Sequence, residues 1–390
     1  MLRAGGHPPE TFQVLATQRR RRCADVPPDQ RPEGSANIRW PFRRPLTQGH
    51  GMTITITIVD PADQAAVDAA YRIAAAALPA DLPGLPPYCR QRFEALVRQP
   101  MPGLATRLAL ARLDGSPAGW LRLELPQLDN TENARVELVV DPAYRRRGVG
   151  RALHEHGLRL LREAGRKRVV GQAVSALPGG PARDPAGDAF AAAVGARPAV
   201  AEVRRRLDTT ALDRAALDAL AATARGAATG YRAVRWRQTT PEEYVADVAY
   251  LEGRMMIDAP TGDLEWEQEN IDAGRIRGTE RALDIRGVRR YHVGAVHEAS
   301  GRLVAWSQLT LAASSTWHAW QQTTIVDPDH RGHRLGVLCK IENLEHALAY
   351  EPELRAVDTY NAAENVHMIA INEQLGFRPL DAAVEWQLAI

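Results

Sequence analysis

The sequence predicts an α/β (α+β) protein of two tandem domains, and three observations predict it. A strand, a basic glycine-punctuated turn and a helix occur in that order around residues 141–156, "DPAYRRRGVGRALHEH", and again around 327–340, "DPDHRGHRLGVLCK". The strand and helix patterns on either side of these turns also repeat in order. The two Asp-Pro pairs stand 186 residues apart (327 − 141), the mark of a domain duplication and too long a period for a solenoid. Finally, 390 residues at 45% hydrophobic and 25% charged composition suffice for two soluble cores.

Taken in order, the β-branched alternation "TITITIV" predicts a strand over 53–59, and the following apolar spacing a helix over 61–76. A proline-rich loop and a helix from Cys89 come next, then strands near 105–113 and 117–125 turning at Asp114-Gly115. The strand "ARVELVVDP" leads into the first turn, after which Val149, Leu153, Leu160 and Leu161 recur at helical spacing. "KRVVGQAVS" reads as a strand, followed by a short helix ending near Gly195 and a last strand to Leu207. The second unit has the strand "YRAVRWRQ", a helix from Pro241, an irregular "MMIDAPTGD", further helix, and two strands turning at Ser300-Gly301. After them come "AWQQTTIVDP", the second turn, a helix to about Tyr350, the strand "LRAVDTYN", a helix, and "GFRPL" opening a closing strand. The expected divisions are 1–51 as a tail or an extension upstream of the true start, 52–208 and 230–390 as domains, and 209–229 as a linker helix.

Composition excludes several classes. No apolar run approaches the ~20 residues that span a bilayer, and no charged start with an apolar stretch marks a secretion signal. The expectation is a cytoplasmic protein that does not meet a membrane. Cys23, Cys89 and Cys339 are too few and too scattered for a disulfide framework or a C-x-x-C metal pair, so no metal is expected. Only Lys167 and Lys340 are lysines, leaving 47 arginines among the 49 basic residues, a bias that reads as genome composition. Residues 1–51 carry nine arginines against four acids, +5, so the remaining chain is at −3 within a total of +2. A slightly acidic body argues against nucleic acid as a partner.

A strand that ends in such a turn and opens a helix aims unpaired backbone N–H groups and the positive helix end at one spot, which suits a phosphate or pyrophosphate. Gly148 and Gly150 leave the approach open, and Arg145, Arg146 and Arg147 bring charge beside it. A G-x-x-x-x-G-K-[ST] loop is absent, and Leu153 stands where a dinucleotide fingerprint needs its third glycine.

The stretch "VVDPAYRRRGVG" resembles the coenzyme A signature R-x-x-G-x-G/A of the GNAT acetyltransferase superfamily, with Arg145, Gly148 and Gly150 in its three positions. The resemblance covers about 53–207 and 231–390 and implies two tandem GNAT-like domains, each a mixed, mostly antiparallel central sheet flanked by helices. It implies acetyl-CoA as acyl donor, its pyrophosphate on Val140 and 145–150 (Val149 included), and its pantetheine arm between splayed strands at 134–141 and 168–175. In the second copy Arg331 and Gly336 match, while Arg334 replaces the first glycine. The family's later motif fits Asn365, Met368, Ile371, Gly376 and Phe377, so Asn365 would contact the coenzyme arm. The tyrosine that often protonates the departing thiolate is replaced by Asn372, and the first copy has Asp184 and Ala191 at these places.

Acetyl transfer needs a neutral amine, donors for the oxyanion and a route for the proton. Glu137 alternates along its strand eight residues before Arg145 and is the candidate base. Thr323 holds that place in the second copy and cannot serve, leaving His318, Glu364 or an ordered water chain. The family places its acceptor over the loop between the first two helices, here "MMIDAPTGDLEWE", where Asp258 would hold a cationic amine and Trp266 would wall it. The expected activity is acetyl transfer to a small-molecule amine by one working and one degenerate domain, in a monomer or homodimer. The alternatives are a non-catalytic CoA-binding scaffold and a protein N-acetyltransferase.

Overall fold

The computed structural model describes residues 46–47 and 52–390, apart from 259 and 261. The arginine-rich segment therefore lies outside the described residues, as do two positions of the 255–267 loop. The first half runs β1 (Leu46–Thr47), β2 (Thr53–Ile58), α1 (Gln64–Asp81), α2 (Arg90–Arg98), β3 (Leu104–Leu113), β4 (Ser116–Pro126), β5 (Asn133–Val140), α3 (Val149–Glu163), β6 (Arg168–Ser175), α4 (Ala186–Ala193) and β7 (Arg197–Asp208). After α5 (Arg214–Ala227) the second runs β8 (Tyr231–Arg237), α6 (Val245–Asp258), α7 (Ala273–Ile285), β9 (Arg289–His297), β10 (Leu303–Leu311), β11 (His318–Val326), α8 (Leu335–Tyr350), β12 (Ala356–Ala362), α9 (Val366–Leu375) and β13 (Arg378–Ala389).

Local chemistry accounts for several boundaries. Asp114 and Gly115 both have positive φ, 49° and 83°, the twist a two-residue hairpin needs. Asp63 caps α1 by accepting from the Ala66 N–H. That helix continues through Pro79 to Asp81, one turn beyond the end the sequence suggests, and the added turn carries Asp81 to the first basic turn.

The strands form one sheet, in the order β1-β2-β3-β4-β5-β6-β13-β7-β12-β11-β10-β9-β8. The last strand of each half is given to the other: Ala382–Ala389 of β13 pair with the whole of β6, and β7 pairs with all of β12. β13 and β7 also pair with each other and so fuse the two halves. α1 and α2 cover one face of the first half, packing Val67, Ile73 and Phe93 with Trp120 of β4, and α3 covers the other through Val149, Leu153 and Leu161. α8 is buried along most of its length in the largest core cluster, which also takes Leu207 of β7 and Leu217, Ala221 and Ala224 of α5.

Two notches interrupt the sheet. Parallel β5 and β6 hold register only from Asn133–Arg168 to Arg135–Val170 and then part. Parallel β11 and β12 do the same after His318–Ala356 to Trp320–Asp358. Each notch opens toward one of the two basic turns.

Candidate active site

The turns share one backbone design. In the first, Asp141 accepts from the Ala143 N–H (2.9 Å), residues 142–144 make a 3-10 turn, and α3 begins at Val149. In the second, Asp327 accepts from the Asp329 N–H (3.1 Å) and α8 begins at Leu335. Arg146 and Gly148 have φ of 62° and 85°; their counterparts Gly332 and Arg334 have 88° and 54°. The second turn has thus moved its glycine to the other left-handed position, and Arg334 adopts the conformation that Gly148 has in the first. The backbone N–H groups from Arg146 to Gly150, and from Gly332 to Gly336, have no acceptor among the described residues. Both turns therefore present the donor array that binds a pyrophosphate at a helix N-terminus.

A left-handed non-glycine residue costs roughly 1 kcal/mol. A Cβ on Gly148 meets only Ile54 Cδ1, at 3.7 Å, so Gly148→Ala is expected to lose about 1 kcal/mol through backbone strain alone. Arg334→Gly is expected to gain up to about 1 kcal/mol. Urea unfolding of the two variants checks both signs.

The signature arginines fasten the turns from behind. Arg145 Nε donates to the Val140 carbonyl (3.2 Å), and its guanidinium pairs with Asp81 (2.8 Å) and Asp184 (3.4 Å). Arg331 Nε donates to the Val326 carbonyl (3.3 Å) and Nη2 pairs with Asp258 (3.0 Å). Asp258 also holds Arg254 at 2.8 Å, so its carboxylate is spent on turn and helix rather than facing an acceptor amine. Asp81 is its counterpart in the first half, and sequence reasoning missed it. The available signal was that an aspartate closes the first long helix of both halves. Arg146 and Arg147 are exposed, with Arg147 over the Tyr144 ring at 5.8 Å. Gly150 faces Val140 and Phe190 at ordinary contact distance, and Gly336 faces Val326 and Thr324 likewise. Asn365 caps α9 by accepting from the Met368 N–H (3.1 Å).

The other candidates are dispersed. Glu137 lies just past the point where β5 and β6 part, but its Oε2 accepts from Arg122 Nε (3.0 Å) and Nη2 (2.6 Å), directly across the ladder on β4. Trp266 is brought to the first half: Arg135 of β5 stacks on its ring at 4.8 Å, and Asn133 Nδ2 donates to the Glu265 carbonyl (2.8 Å). Glu364 is exposed, whereas His318 is buried, with Nε2 3.0 Å from Asp358 Oδ2 but off the line of a hydrogen bond. Asn372 is fully buried. Its Nδ2 donates to Asn361 Oδ1 (2.6 Å), and its Oδ1 accepts from Lys340, a residue the sequence reading set aside as compositional noise. Among the described residues no group of His, Cys, Asp or Glu is placed to hold a metal, and no helix is long and apolar enough to cross a membrane.

Comparison with known proteins gives this geometry its family. The acetyltransferase (GNAT) family pattern matches residues 67–177. The fold is similar to a tandem GNAT protein from the clavulanic acid biosynthesis pathway, solved without acetyl-CoA, at 33% identity and TM-score 0.73 over 86% of this chain and 98% of that one. A GCN5-related N-acetyltransferase from Sphaerobacter thermophilus aligns at 16% identity and TM-score 0.55, over 86% of this chain and 95% of its own. A glucosamine N-acetyltransferase region of a fungal multi-domain β-N-acetylglucosaminidase aligns at 13% and 0.60, over 87% of this chain and 38% of its own; these last two share the fold. No curated protein matches in sequence.

The chain belongs to the GNAT acetyltransferase family. It has the tandem fold of that family, whose acyl donor is acetyl-CoA and which supports acetyl transfer.

Proposed function

We propose that the protein is an acetyl-CoA-dependent N-acetyltransferase that moves the acetyl group to the amine of a small molecule in the cytoplasm, with one half chemically degenerate. The carrying observation is the row of acceptorless N–H groups at the open end of each notch. They would hold the pyrophosphate, and the unpaired edges of β5 and β11 beyond the notch offer backbone groups to the pantetheine arm as an added strand would. The second reading, a CoA-binding scaffold, draws on the absence of tyrosine from both closing motifs, where Ala191 stands in one half and Asn372 is tied to Asn361 and Lys340 in the other.

Native mass spectrometry with acetyl-CoA separates the possibilities. The expected result is a bound coenzyme with release of free CoA on adding an amine panel. Gly148→Trp is expected to remove binding at the first turn, because it forces a large side chain into a left-handed position at the donor array. Arg331→Ala is expected to weaken the second turn about tenfold through loss of its anchor. Binding without release of CoA from any amine would establish the scaffold reading.

A further inference from the structure

The second notch carries side chains that neither the turn nor the closing motif uses. Trp320 and Asp358 form the last rung between β11 and β12, and Tyr360 is the next residue of β12 on the same face, two places into the opening. Its ring lies nearly parallel to that of Trp320, with centroids 5.5 Å apart and an interplanar angle of 10°, so the stacked pair joins the two walls at the vertex. Both residues are half-buried, and the Tyr360 hydroxyl makes no hydrogen bond with the described residues. α8 lies on the other face, where it shares a core cluster with Ala319 and Val357, the residues that alternate with these.

That placement decides which part of a donor Tyr360 meets. The N–H array of the second turn stands at the start of α8, and β11 runs back from Val326 to Trp320, about 20 Å of strand and within reach of an extended pantetheine arm. An arm that enters from the face of α8 and ends at the vertex brings its last group, the acyl carbonyl, out between β11 and β12 on the face of Tyr360. The polar neighbours there are already engaged. Gln322 Nε2 donates to Thr310 Oγ1 (3.0 Å), and Arg204, which faces Tyr360 across the β7–β12 ladder, is held by Asp358 (2.9 Å) and Asp381. The first half has no equivalent. Its last rung is Arg135–Val170, and the next residue of β6 on that face is Gln172, whose amide donates to Glu202 (3.5 Å).

Resting on the acetyltransferase reading, we infer that the Tyr360 hydroxyl is the hydrogen-bond donor to the thioester carbonyl oxygen, which makes the second half the centre of transfer. In the step itself the neutral amine nitrogen attacks the carbonyl carbon. The C–N bond forms and the π electron pair moves onto oxygen, where the Tyr360 O–H meets the developing charge without giving up its proton. The pair then returns, and the C–S bond breaks with its electrons on sulfur. The surplus proton on nitrogen passes to water and the thiolate takes one from water, giving the amide and free CoA, so the step does not need the tyrosine that the closing motif lacks. A phenol in this place is a donor and not a base: burial, opposed by Arg204 and aided by the carboxylates of Asp381, Asp358 and Glu202, pushes its pKa up to about 12.

Tyr360→Phe removes the hydroxyl and keeps the ring on Trp320. Release of CoA from acetyl-CoA with the amine panel is followed for the full chain and for this variant. The expected result is a kcat lower by about 100-fold or more at nearly unchanged KM for the amine, the scale of losing one oxyanion donor. Native mass spectrometry with CoA, which has no thioester carbonyl to hold, should give the same occupancy for both proteins. A kcat within about threefold of wild type overturns the inference and leaves acetyl transfer standing. A lower kcat with equally weaker CoA binding overturns it as well, since Tyr360 then serves only to shape the donor site. If the wild type itself releases no CoA with any amine, the acetyltransferase reading falls and the role of Tyr360 with it, an outcome read in the wild type and so distinct from the other two.

Discussion

Asp381→Asn is expected to lower the unfolding free energy by about 3–5 kcal/mol, the scale of breaking a buried ion pair from one side. Asp381 on β13 is fully buried, and both its oxygens are committed. It accepts from Arg204 Nε (2.8 Å) and Nη2 and from Arg183 Nε (2.9 Å) and pairs with Arg183 Nη2 (2.8 Å). Arg204, itself fully buried, reaches on to Asp358 of β12 (2.9 Å). The cluster thus joins β7, β12 and β13 where the two halves exchange strands. Asparagine keeps the shape and removes the charge, leaving two buried guanidiniums against one remaining carboxylate. In urea the midpoint should fall with the slope unchanged, whereas Arg90→Ala, which breaks an exposed pair with Asp68, should leave it almost where it was. The same cluster sets acid sensitivity. Because the folded-state pKa of Asp358 is depressed to about 2 from 3.8, its contribution is present above pH 3.8 and is lost as pH falls toward 2.

The turns were legible in the sequence because their chemistry is local: Asp-Pro starts a 3-10 turn, and glycine marks a left-handed position. The displaced glycine of the second turn was visible as Arg334, but that an arginine would hold φ of 54° was not, since arginine has no preference for that region. Strand exchange was illegible for a different reason. The alternation along β7 and β13 says which side chains face a core, but not which neighbour supplies the partner edge. Asp258 and Trp266 were chosen because the resemblance places the acceptor over their loop and because a carboxylate and an indole suit a cationic amine. The former is drawn to Arg331 and the latter to Arg135 by contacts between segments far apart in sequence. A cavity lined by Arg206 of β7 with Trp317 and Arg355 depends on the exchange, because β7 comes from the other half, so no reading confined to one domain could assemble it.

Lys340 carries the remaining large prediction. It stands four residues after Gly336 on α8, and its ammonium is buried with Asn372 Oδ1 as acceptor and the Phe377 ring 5.6 Å away; among the described residues no carboxylate pairs with it. Burial pushes its pKa down from 10.5 to about 7. The unfolded chain therefore binds the extra proton between pH 7 and about 10.5, so stability rises with pH across that window and is flat below it. At about 1.4 kcal/mol per pH unit, wild type should gain roughly 2–3 kcal/mol between pH 7 and 9. Lys340→Met fills the same space without a charge but strands the Asn372 oxygen, at a cost of about 1–3 kcal/mol. Its net stability at pH 7 should rise by about 1–3 kcal/mol, and the Lys340-dependent part of the pH slope should vanish. Urea unfolding of both proteins at pH 7 and pH 9 reads this directly, and equal slopes would mean that Lys340 stays charged in the folded protein. A group that destabilises the fold at neutral pH and touches the closing motif of the second half is the kind of residue retained for function. Stability gained by Lys340→Met should then come with slower acetyl transfer, and a stabilised variant with full activity would make Lys340 only a packing element of α8.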